Sequence, residues 1–312
     1  MALSTGSEVS LPLVGDWAKL SGKQIPELPK NFEGDFLTMY NKSIIIGGRK
    51  RNTYTSKCFE LFHGTWKKHS TLNKERPGAT VVTTDMGIFA FGGKFGRSKD
   101  YEYLPNESTS WKVGKSEIPF RIINDRCYAI SIPSDEHIWL IGASSNYSMR
   151  LILKFNINTH TFQELHIATN EPRIHKRCII IPGTKKILIT GDIKSSIYKA
   201  YKTTEILDTE NETISEGPSL NIARGNHGIG IVTIKGENKL VVFGGYGKER
   251  TNLNGGELYN TQIGKWETVD IKMREGKYNF GFISFKLGDV IKSSKKIIQN
   301  FHRKRSPNYI YK

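Results

Sequence analysis

Five short apolar runs, each closing on glycine, recur along the chain at a spacing that few folds accommodate. They are Ile44-Ile-Ile-Gly-Gly48, Ile88-Phe-Ala-Phe-Gly-Gly93, Ile138-Trp-Leu-Ile-Gly-Ala143, Ile187-Leu-Ile-Thr-Gly-Asp192 and Leu240-Val-Val-Phe-Gly-Gly245. Their first glycines stand at 47, 92, 142, 191 and 244, in steps of 45, 50, 49 and 53 residues. A period near 50 signals a stacked or circular repeat architecture. A second marker keeps step with the first: Trp66, Trp111, Phe162, Ile214 and Trp266 follow the glycines by 19, 19, 20, 23 and 22 residues.

Between each glycine and its large apolar residue lie two β-prone stretches around a turn. Examples are Tyr101-Glu-Tyr-Leu-Pro-Asn-Glu-Ser-Thr-Ser-Trp111 and Glu257-Leu-Tyr-Asn-Thr-Gln-Ile-Gly-Lys-Trp266. Past the large residue, polar loops lead into another strand, such as Ala79-Thr-Val-Val-Thr. Each unit thus supplies four strands, a to d, with the glycines closing strand b. Four antiparallel strands repeated radially make a propeller blade. Glycine suits the abrupt exit of strand b because it takes either sign of φ freely. An indole on strand d fills the wedge between blades. No stretch keeps the long period of a helical solenoid.

These residues resemble the Kelch repeat family, whose units carry a hydrophobic run, a double glycine and a spaced Trp. The resemblance covers nearly the whole chain, with Ala143 and Asp192 in place of second glycines and Phe162 and Ile214 in place of Trp. It implies an all-β, six-bladed Kelch-type β-propeller of four antiparallel strands per blade. Five units are complete between about 35 and 272, and the flanks read as halves of a sixth blade. Glu8 and Trp17 repeat the nine-residue spacing of Glu102 and Trp111, of Glu205 and Ile214, and of Glu257 and Trp266, so 8–20 read as strands c and d. Residues 278–285 read as strand a and 289–294 as strand b. Sharing the blade between the termini removes an open sheet edge. The propeller is expected to span 1–294, followed by a basic, flexible tail over 295–312.

The chain carries a formal charge of +16, of which that tail supplies six basic residues, leaving +10 on the body. Such a charge favours acidic partners and steers their encounter. A basic residue recurs just before strand a: Arg76, Arg126, Arg177, Arg224 and Lys277. In Kelch propellers the d-to-a and b-to-c loops gather at one mouth of the central channel, the face that binds partner peptides. The resemblance therefore implies a basic ring there, extended by Arg49, Arg51 and Arg97 from the b-to-c loops. Guanidinium forks pair bidentately with carboxylates, which makes an acidic protein or peptide the expected partner. A second reading is equally open at this point: the same arginines satisfy loop carbonyls or neighbouring acids, as a repeat position often does.

No apolar run is long enough for a membrane span, and the first residues lack the basic and apolar segments of a secretory leader. The three cysteines are therefore expected as reduced thiols in a cytosolic or nuclear protein. Cys127 and Cys178 each follow a repeating arginine at the start of strand a. An adjacent arginine can activate a thiol, but burial as an inert apolar residue is the favoured reading. His160, His166 and His175 match no standard metal spacing. No nucleophile elbow or phosphate-binding glycine loop is present, so no enzyme, cofactor or metal is expected. Nucleic acid is not favoured, since no binding motif accompanies the charge. The expected function is that of a monomeric, non-catalytic protein-binding scaffold. The family resemblance also admits actin binding, or ubiquitin-ligase substrate recognition through a separate adaptor, because the chain has no room for a BTB domain.

Overall fold

A computed structural model describes residues 9–12, 32–33, 37–40, 42–50, 53–62, 65–93, 98–119, 127–143, 150–173, 176–191, 193–194, 199–234, 237–248, 251–272 and 282–285. The fold is an all-β propeller in which five antiparallel four-stranded blades follow one another along the chain. Blade 1 comprises β3 (Leu37–Tyr40), β4 (Lys42–Lys50), β5 (Thr53–Phe62) and β6 (Thr65–His69), with β2 (Phe32–Glu33) beside the far end of β4. Blade 2 is β7 (Thr80–Thr84), β8 (Gly87–Phe91), β9 (Tyr101–Pro105) and β10 (Lys112–Val113). Blade 3 is β11 (Tyr128–Ser131), β12 (His137–Ala143), β13 (Leu151–Asn156) and β14 (Phe162–Ala168). Blade 4 is β15 (Arg177–Ile180), β16 (Lys186–Thr190), β19 (Thr204–Asp208) and β20 (Thr213–Gly217), with the ribbon β17 (Ile193–Lys194) and β18 (Lys199–Ala200) in its b-to-c connection. Blade 5 is β21 (Gly228–Ile234), β22 (Glu237–Phe243), β23 (Gly255–Asn260) and β24 (Lys265–Lys272).

The glycine-ended runs are strands b, as the repeat predicts. Their first glycines all take positive φ: +59° at Gly47, +69° at Gly92, +94° at Gly142, +68° at Gly191 and +59° at Gly244. At the neighbouring Gly245, a Cβ would come within 2.6 Å of the Gly225 carbonyl, so the close approach of two backbones excludes a side chain there.

Hydrophobic burial is divided into wedges between blades. Ile44, Ile46, Ala90, Leu104 and Trp111 pack blade 1 on blade 2, and Phe89, Phe91, Tyr101, Leu140 and Phe155 pack blade 2 on blade 3. Trp139, Ile141, Ile187 and Leu207 join blades 3 and 4, while Leu188, Leu220, Val242 and Trp266 join blades 4 and 5. Trp111 and Trp266 each add a directed bond across the wedge. Their indole N–H groups donate to the Ser70 and Pro218 carbonyls, both at 3.0 Å.

Among the described residues the two ends of the chain meet in a two-stranded sheet. β1 (Val9–Pro12) pairs antiparallel with β25 (Phe282–Phe285), with Val9 opposite Phe285, and both pack beside β21. β1, expected as strand c, pairs here with β25, expected as strand a, whose Phe282-Ile-Ser-Phe285 sequence has the aromatic and β-branched character of a strand. Residues 13–20, 286–294 and the basic tail lie outside the described residues. No helix among the described residues is long and apolar enough to cross a membrane.

Candidate partner-binding face

The loops that follow strand d meet the b-to-c loops on one face, and a repeated clamp ties them together there. In each of three blades a strand-c glutamate is buried: Glu102, Glu205 and Glu257 are 0%, 2% and 0% exposed. Each receives the loop arriving from the preceding blade. Glu102 accepts the Asn73 and Lys74 backbone N–H groups at 2.6 and 3.1 Å. Glu257 accepts those of Asn221 and Ile222 at 2.6 and 3.1 Å, and Glu205 accepts that of Asn170 at 2.8 Å.

An arginine on the same loop completes each clamp. Arg76 Nε reaches Glu102 at 2.8 Å, Arg173 Nε reaches Glu205 at 2.6 Å, and Arg224 Nη2 reaches Glu257 at 2.9 Å. The Nη1 group of each arginine then donates to the first glycine of strand b, at Gly92, Gly191 and Gly244, over 2.7, 3.3 and 2.8 Å. Fixed forks allow one guanidinium to hold a carboxylate and a carbonyl at once, and the saturated carboxylate makes these buried charges tenable. Arg76 Nη2 is buried without a hydrogen-bond partner among the described residues; Thr203 and Glu257 satisfy the equivalent atoms of Arg173 and Arg224.

Of the residues proposed for the basic ring, Arg76 and Arg224 thus point inward, at 2% and 0% exposure. Arg177 is half-buried at the start of β15 and donates to Asn226 Oδ1 at 2.9 Å and to the Lys176 carbonyl at 3.2 Å. It is not the counterpart of Arg76 and Arg224; Arg173 is. The shared sequence signal is Asn-x-x-Arg, in Asn73 to Arg76, Asn170 to Arg173 and Asn221 to Arg224. Blade 3 has no acid on its c strand Leu151–Asn156. Arg49 is on β4, with its backbone opposite Tyr54. Arg51, Arg97, Arg126 and Lys277 lie outside the described residues.

The thiols are buried: desolvation raises Cys58 to about 11 and both Cys127 and Cys178 to about 12. Cys127 and Cys178 are not equivalent either. Ala129 and Cys178 face the residues two before the strand-b glycine, Leu140 and Ile189, which places Cys127 two positions earlier. His227 is fully buried; its Nε2 is 2.6 Å from Thr190 Oγ1, and desolvation, reinforced by Arg224 and Arg177, holds its pKa well below 6.5. His160 Nδ1 is 2.8 Å from the Tyr101 hydroxyl, and His175 lies outside the described residues. Among the described residues no three His, Cys, Asp or Glu side chains gather as metal ligands.

With the clamp arginines turned inward, the b-to-c loops still present Lys99, Arg150, Lys202 and Lys248 to solvent. Glu75, Glu117 and Glu171 are exposed on the loops that follow strand d. Compared with models of known protein families and with curated proteins, the chain finds no match in either.

Proposed function

We propose that this chain is a Kelch-type propeller, with a sixth blade shared between its termini, that acts without catalysis as a protein-interaction module and binds an acidic segment on its loop face. The observation that carries the reading is the division of labour among the cations of that face. The Asn-x-x-Arg arginines are consumed by internal glutamates, whereas Lys99, Arg150, Lys202 and Lys248 remain exposed around the same rim. Exposed cations held on a rigid scaffold raise the local concentration of oppositely charged partners.

Binding of a fluorescein-labelled acidic peptide, followed by anisotropy, tests the function. Binding that the paired Arg126→Ala and Arg177→Ala variant weakens, with the melting midpoint unchanged, supports a contribution from the ring; unchanged affinity removes those two residues from the site. The shared blade is tested by deleting residues 1–20. Loss of β1 should lower the melting midpoint sharply, and a truncated chain melting with the intact one rules out closure by the termini.

A further inference from the structure

We propose that Lys99, Arg150 and Lys202 form a cationic arc across three consecutive blades that holds one extended acidic segment of a protein partner. This rests on the loop face being an acid-binding surface and assigns the residues that read the ligand.

The three cations occupy one repeat position. The strand-c residues opposite the second residue before the strand-b glycine are Glu102, Leu153 and Glu205, paired with Ala90, Leu140 and Ile189. Lys99, Arg150 and Lys202 each stand three residues earlier. A common hydrogen bond fixes them: their carbonyls accept the backbone N–H groups of Ile118, Thr169 and Leu220 at 2.7, 3.0 and 2.8 Å. The backbone at each position is thereby anchored to the loop that leaves its own blade, while the residue itself stays exposed. Blade 1 makes the same bond from Leu72 N–H to the Ser56 carbonyl at 3.0 Å, and blade 5 has Asn254 three residues before Glu257. Both ends of the arc are therefore uncharged.

None of the three cations forms an ion pair with a described residue. Arg150 Nε donates to the Thr169 carbonyl at 2.5 Å, a bond that orients its fork without neutralising it. In the same connection as Lys202, the ribbon β17–β18 sets the backbones of Lys194 and Lys199 opposite each other in register.

Single cations repeated at blade-sized steps suit a chain carrying acids at intervals. A nucleic-acid strand has a phosphate every few ångströms and binds best to a denser basic groove with stacking aromatics. The acidic polypeptide is therefore the class the arrangement fits.

The probe is a fluorescein-labelled peptide of alternating Glu and Ser, titrated at low salt, with a single-stranded RNA oligonucleotide as the comparison ligand. Single reversals Lys99→Glu, Arg150→Glu and Lys202→Glu should each weaken peptide binding ~3-fold to ~10-fold, and the triple reversal by at least ~30-fold. Lys185→Glu, in the turn between β15 and β16, should leave affinity unchanged, and none of the variants should shift the melting midpoint by more than a degree or two. Wild-type protein that fails to bind the peptide overturns both the arc and the acid-binding reading. Peptide binding that survives the triple reversal overturns the arc alone. RNA bound more tightly than peptide, and lost in the triple variant, overturns the assigned partner class.

Discussion

Arg224 Nη2 lies 2.9 Å from Glu257 Oε1, and both side chains are wholly withdrawn from solvent. The pair joins the loop leaving blade 4 to strand c of blade 5, so its energy is stored between blades. Removing one member strands a buried charge, which costs about 3–5 kcal/mol, whereas replacing both with apolar residues of similar volume costs much less. Arg224→Met and Glu257→Leu should each lower stability by about that amount in denaturant melts, and the double variant should lose less than the sum of the two, the remaining cost coming from the Asn221 and Ile222 N–H groups that Glu257 no longer accepts. Additive losses would show that the two side chains act independently.

The two buried indoles offer a milder test. Trp111→Phe retains most of the apolar filling of the wedge but removes the 3.0 Å donor to the Ser70 carbonyl, and should cost about 1–3 kcal/mol, combining the lost hydrogen bond with the unsatisfied carbonyl. Trp266→Phe removes one of two donors to the Pro218 carbonyl, which still accepts from Thr204 Oγ1 at 3.0 Å, and should cost less, about 0.5–1.5 kcal/mol for the lost bond alone. Stability equal to wild type in both variants would mean that the indole N–H contributes nothing across the blade boundary.

All three thiols should be silent in the native protein. Cys58, Cys127 and Cys178 are buried, at 1%, 7% and 3% exposure, and burial drives them toward the neutral form. A thiol-specific chromogenic reagent at pH 8 should label none of them within minutes and all three after unfolding. Rapid native labelling of Cys127 or Cys178 would reinstate a reactive thiol beside its basic neighbours.

His227 makes stability depend on pH in a defined direction. The folded chain keeps it neutral well below its ordinary value of 6.5, while the unfolded chain takes up a proton near that pH. Its contribution is therefore complete above about pH 6.5 and is lost as pH falls toward the folded value. Wild-type stability should drop more steeply between pH 7 and pH 5 than that of His227→Gln. Parallel pH profiles would show that this imidazole does not titrate differently on folding.

The strands were legible because the glycine-ended runs carry their own spacing, and every first glycine does adopt positive φ. The clamps were only half visible. Glu102, Glu205 and Glu257 stood out through their distance to the next large apolar residue, but the arginines that reach them are 26, 32 and 33 residues away in sequence. Taking the basic residue directly before strand a selects Arg177 over Arg173, although Arg173 stands 18 residues before Gly191, between the 16 from Arg76 to Gly92 and the 20 from Arg224 to Gly244. The nearby Asn-x-x-Arg pattern would have corrected this. Lys99, Arg150 and Lys202 carry no motif at all; their equivalence appears only through strand register and the backbone bond each accepts. At the termini, periodicity located both partners of the β1–β25 pair.

The central claim is that exposed cations on the loop face recruit an acidic polypeptide. Its most direct test is the affinity of the wild-type chain for the labelled acidic peptide as a function of salt. The account predicts binding at low ionic strength that weakens steadily as salt screens the pairing. Absence of binding at low salt, or an affinity indifferent to salt, would contradict it.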